Sequence, residues 1–271
     1  MTIYIHLVRH AQGYHNLSSE NQQIRDPDLT TLGEEQCAAL SSSFPYHDKV
    51  THLVASPMRR TLRTCLLSFA AEVEAGKKVV ALPEVQELST LPCDVGSDPD
   101  VLARDFGPDG KVDLSLVKEG WNDKSAGSPW EPSTGKLEER ARKARVWLRD
   151  LARSEGGEEG EEKHIVVVSH GGFIHFFTED WDGMNPSAGT GWGNAEYRTY
   201  EFVDESGKDE NASLKETRPS WRRRRGSAIP LTETEQRELR AVEVKYMEKE
   251  LDGVVEEQKK QAETLKLGDK E

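Results

Sequence analysis

The chain has 271 residues, of which 35% are hydrophobic and 31% charged, with a formal net charge of −13. That length suffices for one α/β domain plus an extension. The negative excess repels polyanions at long range and argues against nucleic acid as a partner.

Ile3 to Val8 reads as a first strand, and Met1-Thr2 lead straight into it without a secretory leader. Thr31 and Glu34 have capping-box spacing, which predicts a helix running to Phe44 and ended by Pro45. His52 to Ala55 is a second apolar run. Pro57 suits a first helical turn, so Met58 to Ala71 reads as the next helix. Lys78 to Leu82 reads as a third strand. Residues 89–133 are rich in Pro, Gly, Asp and Trp and show little periodicity, as a lid or substrate loop would. Trp121 and Trp130 within them either pack a small subdomain or touch substrate. Lys136 to Arg153 is a strong amphipathic helix, Gly156 to Gly160 a solvated loop, Ile165 to Val168 a buried strand and Phe173 to Thr178 a helix. Tyr197 to Phe202 alternates and reads as a last, edge strand. From Asp204 the composition turns to charge, with an arginine island at Arg222–Arg225 and a helix-prone stretch over 232–265. No run approaches the length of a membrane span. Cys37, Cys65 and Cys93 lack metal-ligand spacing and read as reduced thiols of a cytoplasmic protein.

Three of the apolar runs end in the same way. The first is followed by Arg9-His10, the second by Ser56-Pro57-Met58-Arg59-Arg60, the third by Ser169-His170-Gly171-Gly172. Open α/β sheets place their sites at the carboxyl ends of parallel strands. Arg9, His10, Arg60 and His170 are therefore expected at one point. Cations gathered in one pocket call for an anion, and a phosphoryl group is the obvious one.

These motifs resemble those of the histidine phosphatase superfamily, the phosphoglycerate-mutase-like fold. Its RHGxTxxN motif is matched by Arg9 to Asn16, its SPxxRxxxT by Ser56, Pro57, Arg60 and Thr64, and its SHGG by Ser169 to Gly172. Ala11 replaces the usual Gly, and Gln12-Gly13 the usual Glu-Thr. The Arg-His-Ala-Gln-Gly version looks like a fungal and plant subgroup with phosphatase character. The resemblance implies a three-layer α/β/α sandwich with a mostly parallel sheet over residues 1–203, followed by a charged, partly helical extension over 204–271. It implies His10 as nucleophile, its other ring nitrogen pinned on a backbone carbonyl. Arg9, Arg60 and His170 would hold the phosphoryl oxygens, and Glu87 would serve as general acid. Asn16 and the backbone of Gly171 would help bind substrate. Arg59, Arg63 and Glu84 are rivals, while His15 and His175 read as structural. No metal and no cofactor are expected, because the arginines do the electrostatic work.

The leading function is thus hydrolysis of small phosphate monoesters through a phosphohistidine. The alternatives are a phosphoglycerate-type mutase and a silent phosphate- or phosphoprotein-binding module. The extension could recruit a protein partner, and its arginine island is compatible with a nuclear as well as a cytoplasmic location.

Overall fold

The computed structural model describes residues 1–154, 156, 161–186 and 188–249. The expected loop at 157–160 and the end of the helix-prone stretch, 250–265, lie outside the described residues. In chain order the elements are β1 (Thr2–Arg9), α1 (Thr31–Ser43), β2 (Val50–Ala55), α2 (Arg59–Ser68), α3 (Ala70–Glu74), β3 (Val79–Ala81), α4 (Pro99–Phe106), β4 (Val112–Asp113), α5 (Thr134–Ser154), β5 (Glu162–Ser169), α6 (Gly171–Thr178), β6 (Tyr197–Phe202), β7 (Leu214–Glu216) and α7 (Arg218–Arg225). An eighth helix covers 233–249.

The strands form one sheet in the order β4-β3-β2-β5-β1-β6-β7. β1, β2, β3, β4 and β5 run parallel, and β6 and β7 add an antiparallel edge. β5, with seven consecutive buried residues from Lys163 to Ser169, lies between β1 and β2. Such unbroken burial is what a central strand covered on both faces requires. Val8, Leu53, Val166 and Val168 join Leu40 of α1, Phe44 at its C-cap, and Leu62 and Cys65 of α2 in one core. Side chains alternate along a strand, so Ile5, Leu7, Ile165 and Val167, also buried, point to the other side. α5 packs on α6 and on β5. This is a mostly parallel α/β fold.

The structure corrects several expectations. α1 is capped by Thr30, whose hydroxyl accepts from the Gly33 N–H, and not by Thr31. α2 begins after a Met58 N-cap, leaving Pro57 outside the helix, and the expected single helix breaks at Phe69 into α2 and α3. The region 89–133 is not all loop. Asp98-Pro99 starts α4, whose Leu102 and Phe106 are buried one turn apart, and β4 pairs with β3. Trp121 is core: its ring is buried and its indole N–H donates to Ser97 O at 3.1 Å. β6 is not the edge, because β7 pairs outside it.

By its internal contacts the chain divides into two units. The first comprises Met1–Asp180 and Trp192–Ile229, and so runs past the boundary expected after residue 203. The arginine island is α7 of that unit, and it is not a free charge run. Arg223 donates to Tyr197 O at 2.9 Å, and Arg224 pairs with Glu216 at 2.7 Å. The second unit comprises Trp181–Gly191 and the chain from Pro230 onward. Its helix over 233–249 opens with a capping box, in which Thr232 and Glu235 each accept from the other's backbone N–H. No helix among the described residues is long and apolar enough to cross a membrane.

Candidate active site

The register of the sheet brings the three motif segments together. Arg9 at the end of β1 lies opposite Ser169 at the end of β5, and Ala55 at the end of β2 opposite Val168. The next residues, His10 and Ser56, continue the ladder through their N–H groups to Ser169 O at 2.9 Å and Val168 O at 3.0 Å. His170 caps α6 on the same side.

His10 is buried, and its Nδ1 donates to Ala11 O at 2.7 Å. That bond fixes the tautomer, leaving Nε2 with a free lone pair. Burial, then the charges of Arg60 and Arg9, hold its pKa well below the ordinary histidine value, so the ring is neutral. Thr64 supports the turn: its hydroxyl accepts from Ala11 N–H at 3.0 Å and donates to Arg60 O at 2.6 Å.

His170 stands 5.3 Å from His10 between ring centroids. Its Nε2 is bonded to Ser56 Oγ at 2.9 Å, while its buried Nδ1 has no hydrogen-bond partner. Ser56 is thus more than a motif letter, since it orients this ring. Arg9 donates from Nη1 to Trp192 O, and its Nε is buried without a partner.

Arg60 differs from expectation. It is completely buried, but its fork is already occupied: Nη1 donates to Cys93 O at 2.6 Å and Nη2 to Asp94 Oδ1 at 2.8 Å. A buried guanidinium demands a counter-charge, and a loop carboxylate supplies it. Its Nε lacks a partner. Arg59 and Arg63 belong elsewhere, paired with Asp105 at 2.5 Å and Asp28 at 2.6 Å.

Glu87 lies across the start of α6. Oε1 accepts from Phe173 N–H and Leu88 N–H, both at 2.9 Å, and Oε2 from Gly172 N–H at 3.1 Å. The helix start expected to hold a phosphoryl group through its N–H groups thus holds the glutamate, while Gly171 heads the helix beside His170. Gly172 must lack a Cβ, which would sit 2.9 Å from Glu87 Oε1. Enclosure, then the charge of Asp94, push the Glu87 pKa up against the opposing pull of Arg60 and the backbone donors. Glu84 sits in the turn Pro83–Val85, outside this bonding.

Asn16 is committed locally. Its Oδ1 accepts from Gly13 N–H at 3.0 Å, closing the turn Tyr14–Asn16. The exposed side chain lies outside the buried cluster. His15, read as structural, stands 5.3 Å from His10, with an unpartnered buried Nδ1 and a pKa lowered to about 3, mainly by burial and then by Arg60. Gly13 makes room for it, since a Cβ there would meet the ring at 2.8 Å. His175 donates from Nδ1 to Asp180 O at 2.6 Å.

Asp94, Lys124 and Arg140 were not legible in the sequence. Arg140 stacks 4.3 Å over the Phe173 ring and donates to Gln86 O at 2.9 Å, beneath the segment that carries Glu87. No motif links these residues to the strand ends, because their partners lie 30 or more residues away. No cluster of three or more His, Cys, Asp or Glu able to hold a metal occurs among the described residues.

The family model of the histidine phosphatase superfamily (branch 1) matches residues 5–212. A phosphoglycerate mutase-like protein of Arabidopsis thaliana is 28% identical over 247 residues, covering 74% of this chain and 84% of that protein. Phosphoglycerate mutase-like protein 1 of the same plant is 37% identical over 78 residues, 25% of this chain and 28% of that protein. Among solved structures, mycobacterial hydrolase 2 aligns with a TM-score of 0.51 at 18% identity, covering 89% of this chain and 98% of that one. The motif match, the strand-end cluster and the family model converge: the chain belongs to the histidine phosphatase superfamily.

Proposed function

We propose that the protein is a phosphatase that hydrolyses small phosphate monoesters through a phosphohistidine on His10. The observation that carries this reading is the Nδ1 bond from His10 to Ala11 O in a pocket of cations. It presents Nε2 as a nucleophile and stabilises the positive charge the ring acquires on attack. Nε2 attacks phosphorus as the bond to the leaving oxygen breaks. Arg9 Nε and Arg60 Nε are buried donors without protein partners, and His170 Nδ1 joins them when Nε2 accepts from the Ser56 hydroxyl; they face the charge that develops on the transferring oxygens. Glu87, with its raised pKa, gives its proton to the leaving alkoxide. Its carboxylate then takes a proton from water, which attacks phosphorus and releases phosphate and free His10. The chemistry needs no metal, because the guanidinium groups supply the positive charge.

The test is an alkaline quench with labelled substrate. Wild-type protein should carry base-stable, acid-labile label, and His10→Ala should carry none. Label that persists in His10→Ala would remove His10 from the role.

A further inference from the structure

The segment from Glu87 to Asp94 carries two carboxylates that face different parts of the site. Glu87 turns to the start of α6. Asp94, 8% exposed, turns to Arg60 through Oδ1 at 2.8 Å and accepts from Ser89 Oγ through Oδ2 at 2.6 Å. Lys124 closes this segment from beneath. Its Nζ donates to Glu87 O at 2.7 Å, Ser89 O at 2.9 Å and Asp94 O at 2.6 Å. An ammonium has three donors and no acceptor, so the group is saturated by the backbone of one segment. Lys124 is only 6% exposed. Burying a lysine is costly unless its ammonium is fully hydrogen-bonded, and here three carbonyls of one segment meet that demand. Its position fixes both ends of the stretch that bears the acid and the partner of Arg60.

We propose that Asp94 and Lys124 are positioning residues of the site: Lys124 pins the 87–94 strap, and Asp94, so held, engages Nη2 of Arg60 and aims its unpartnered Nε as a donor to the phosphoryl group. The proposal rests on the reading of Glu87 as the general acid and of the cluster as a phosphoryl site. Its consequences follow from charge. Burial raises the Asp94 pKa, but Arg60, Lys124 and Ser89 outweigh it, so the carboxylate stays ionised. An ionised Asp94 weakens the attraction of Arg60 for anions. It also disfavours ionisation of Glu87 and so favours the protonated acid. The other charged groups acting on Glu87 are Arg9 at the end of β1, Arg60 in α2, Lys124, and Arg140 in α5.

The experiment uses the full chain with Asp94→Asn, Lys124→Met and the double variant, each checked for fold by circular dichroism. Asparagine can still accept from Arg60 through Oδ1 but carries no charge. In Asp94→Asn the alkaline limb of the kcat/KM profile should move to lower pH, because Glu87 loses its proton sooner. Inorganic phosphate should bind more tightly by calorimetry. Lys124, whose pKa burial lowers to about 7, titrates as well. The Glu87 carboxyl is therefore followed directly by carbon NMR, assigned with Glu87→Gln, and should titrate at lower pH in Asp94→Asn. Lys124→Met should lower kcat/KM on the order of a hundredfold, the scale of a misplaced catalytic group. Asp94→Asn should then have little further effect in that background, because the strap is already loose. A folded Asp94→Asn with unchanged phosphate affinity and unchanged Glu87 titration overturns the proposal. So does a Lys124→Met variant with wild-type turnover. Absence of any phosphatase turnover in the wild type would sink the functional reading instead, and the phosphate and NMR measurements would still decide on Asp94.

Discussion

β1 and β5 each carry one histidine within the strand and one just past its end, and the two pairs differ in what their nitrogens meet. Within the strands, His6 Nε2 and His164 Nδ1 share a hydrogen bond of 2.9 Å. His6 Nδ1 is bonded to Thr199 Oγ1 at 3.0 Å, and His164 Nε2 reaches Glu162 at 3.3 Å. Every ring nitrogen is used. Past the ends, His10 keeps Nε2 free of any protein bond, and His170 Nδ1 is buried without a partner. Burial lowers the pKa of both pairs, so depressed basicity alone does not separate them. The distinction lies in satisfaction. A buried polar atom without a partner costs stability, and at the strand ends that cost leaves donors and a nucleophile for a ligand.

The sharpest break of this comparison pairs His10→Ala with His6→Ala. The first should reduce turnover at least about a thousandfold, as loss of a nucleophile does, and leave thermal unfolding nearly unchanged. The second should leave kcat close to wild type but destabilise the fold by about 1–3 kcal/mol, because His164 and Thr199 lose their partner. Equal losses of activity in both variants would erase the distinction between site and scaffold.

Glu87→Gln comes next in size. For alkyl phosphates its turnover should fall on the order of 10²–10⁴-fold, the usual contribution of general acid catalysis. For para-nitrophenyl phosphate, whose leaving group needs little protonation, the loss should be much smaller. Glu84→Gln should spare both substrates, and a large leaving-group-dependent loss there would transfer the role.

A smaller effect concerns the sheet edge. A chain cut after Val203 loses β7 and α7, with the Arg223 contact to Tyr197, whereas a cut after Ile229 keeps them. The shorter chain should melt several degrees lower than the longer one. Matching melts would return the boundary to residue 203.

The smallest expected effect is an acid dependence of stability. His6 has its pKa lowered to about 3, chiefly by burial and then by His164. The unfolded chain, near the ordinary value of about 6.5, therefore binds a proton that the folded one refuses. This contribution to stability is present above pH 6.5 and is lost as the pH falls toward 3. His6→Gln, which cannot take the proton, should show a shallower decline over that window in denaturant titrations. Identical slopes would contradict the assignment.

The sequence by itself determined five of the seven strands, β1, β2, β3, β5 and β6, and which polar residues stand at their ends. Buried parallel strands need continuous apolar runs, and Arg9-His10, Arg60 and Ser169 to Gly172 stand directly after or close behind such runs, where side chains reach a pocket. Glu87 was singled out over Glu84 only by resemblance to the family, whose acid follows the third strand. α4 could have been read from Asp98-Pro99 and the one-turn spacing of Leu102 and Phe106, a signal hidden among turn residues. Tertiary structure alone decided the rest. That Tyr197 to Phe202 is an interior strand depends on β7 returning beside it. That the Arg60 fork is filled by Asp94, and that Lys124 gathers three carbonyls, depends on pairings across 34 and about 30 residues. Local pattern records which face of an element is apolar. It does not record which distant charge will neutralise a buried guanidinium, because that choice is made only when the chain closes around it.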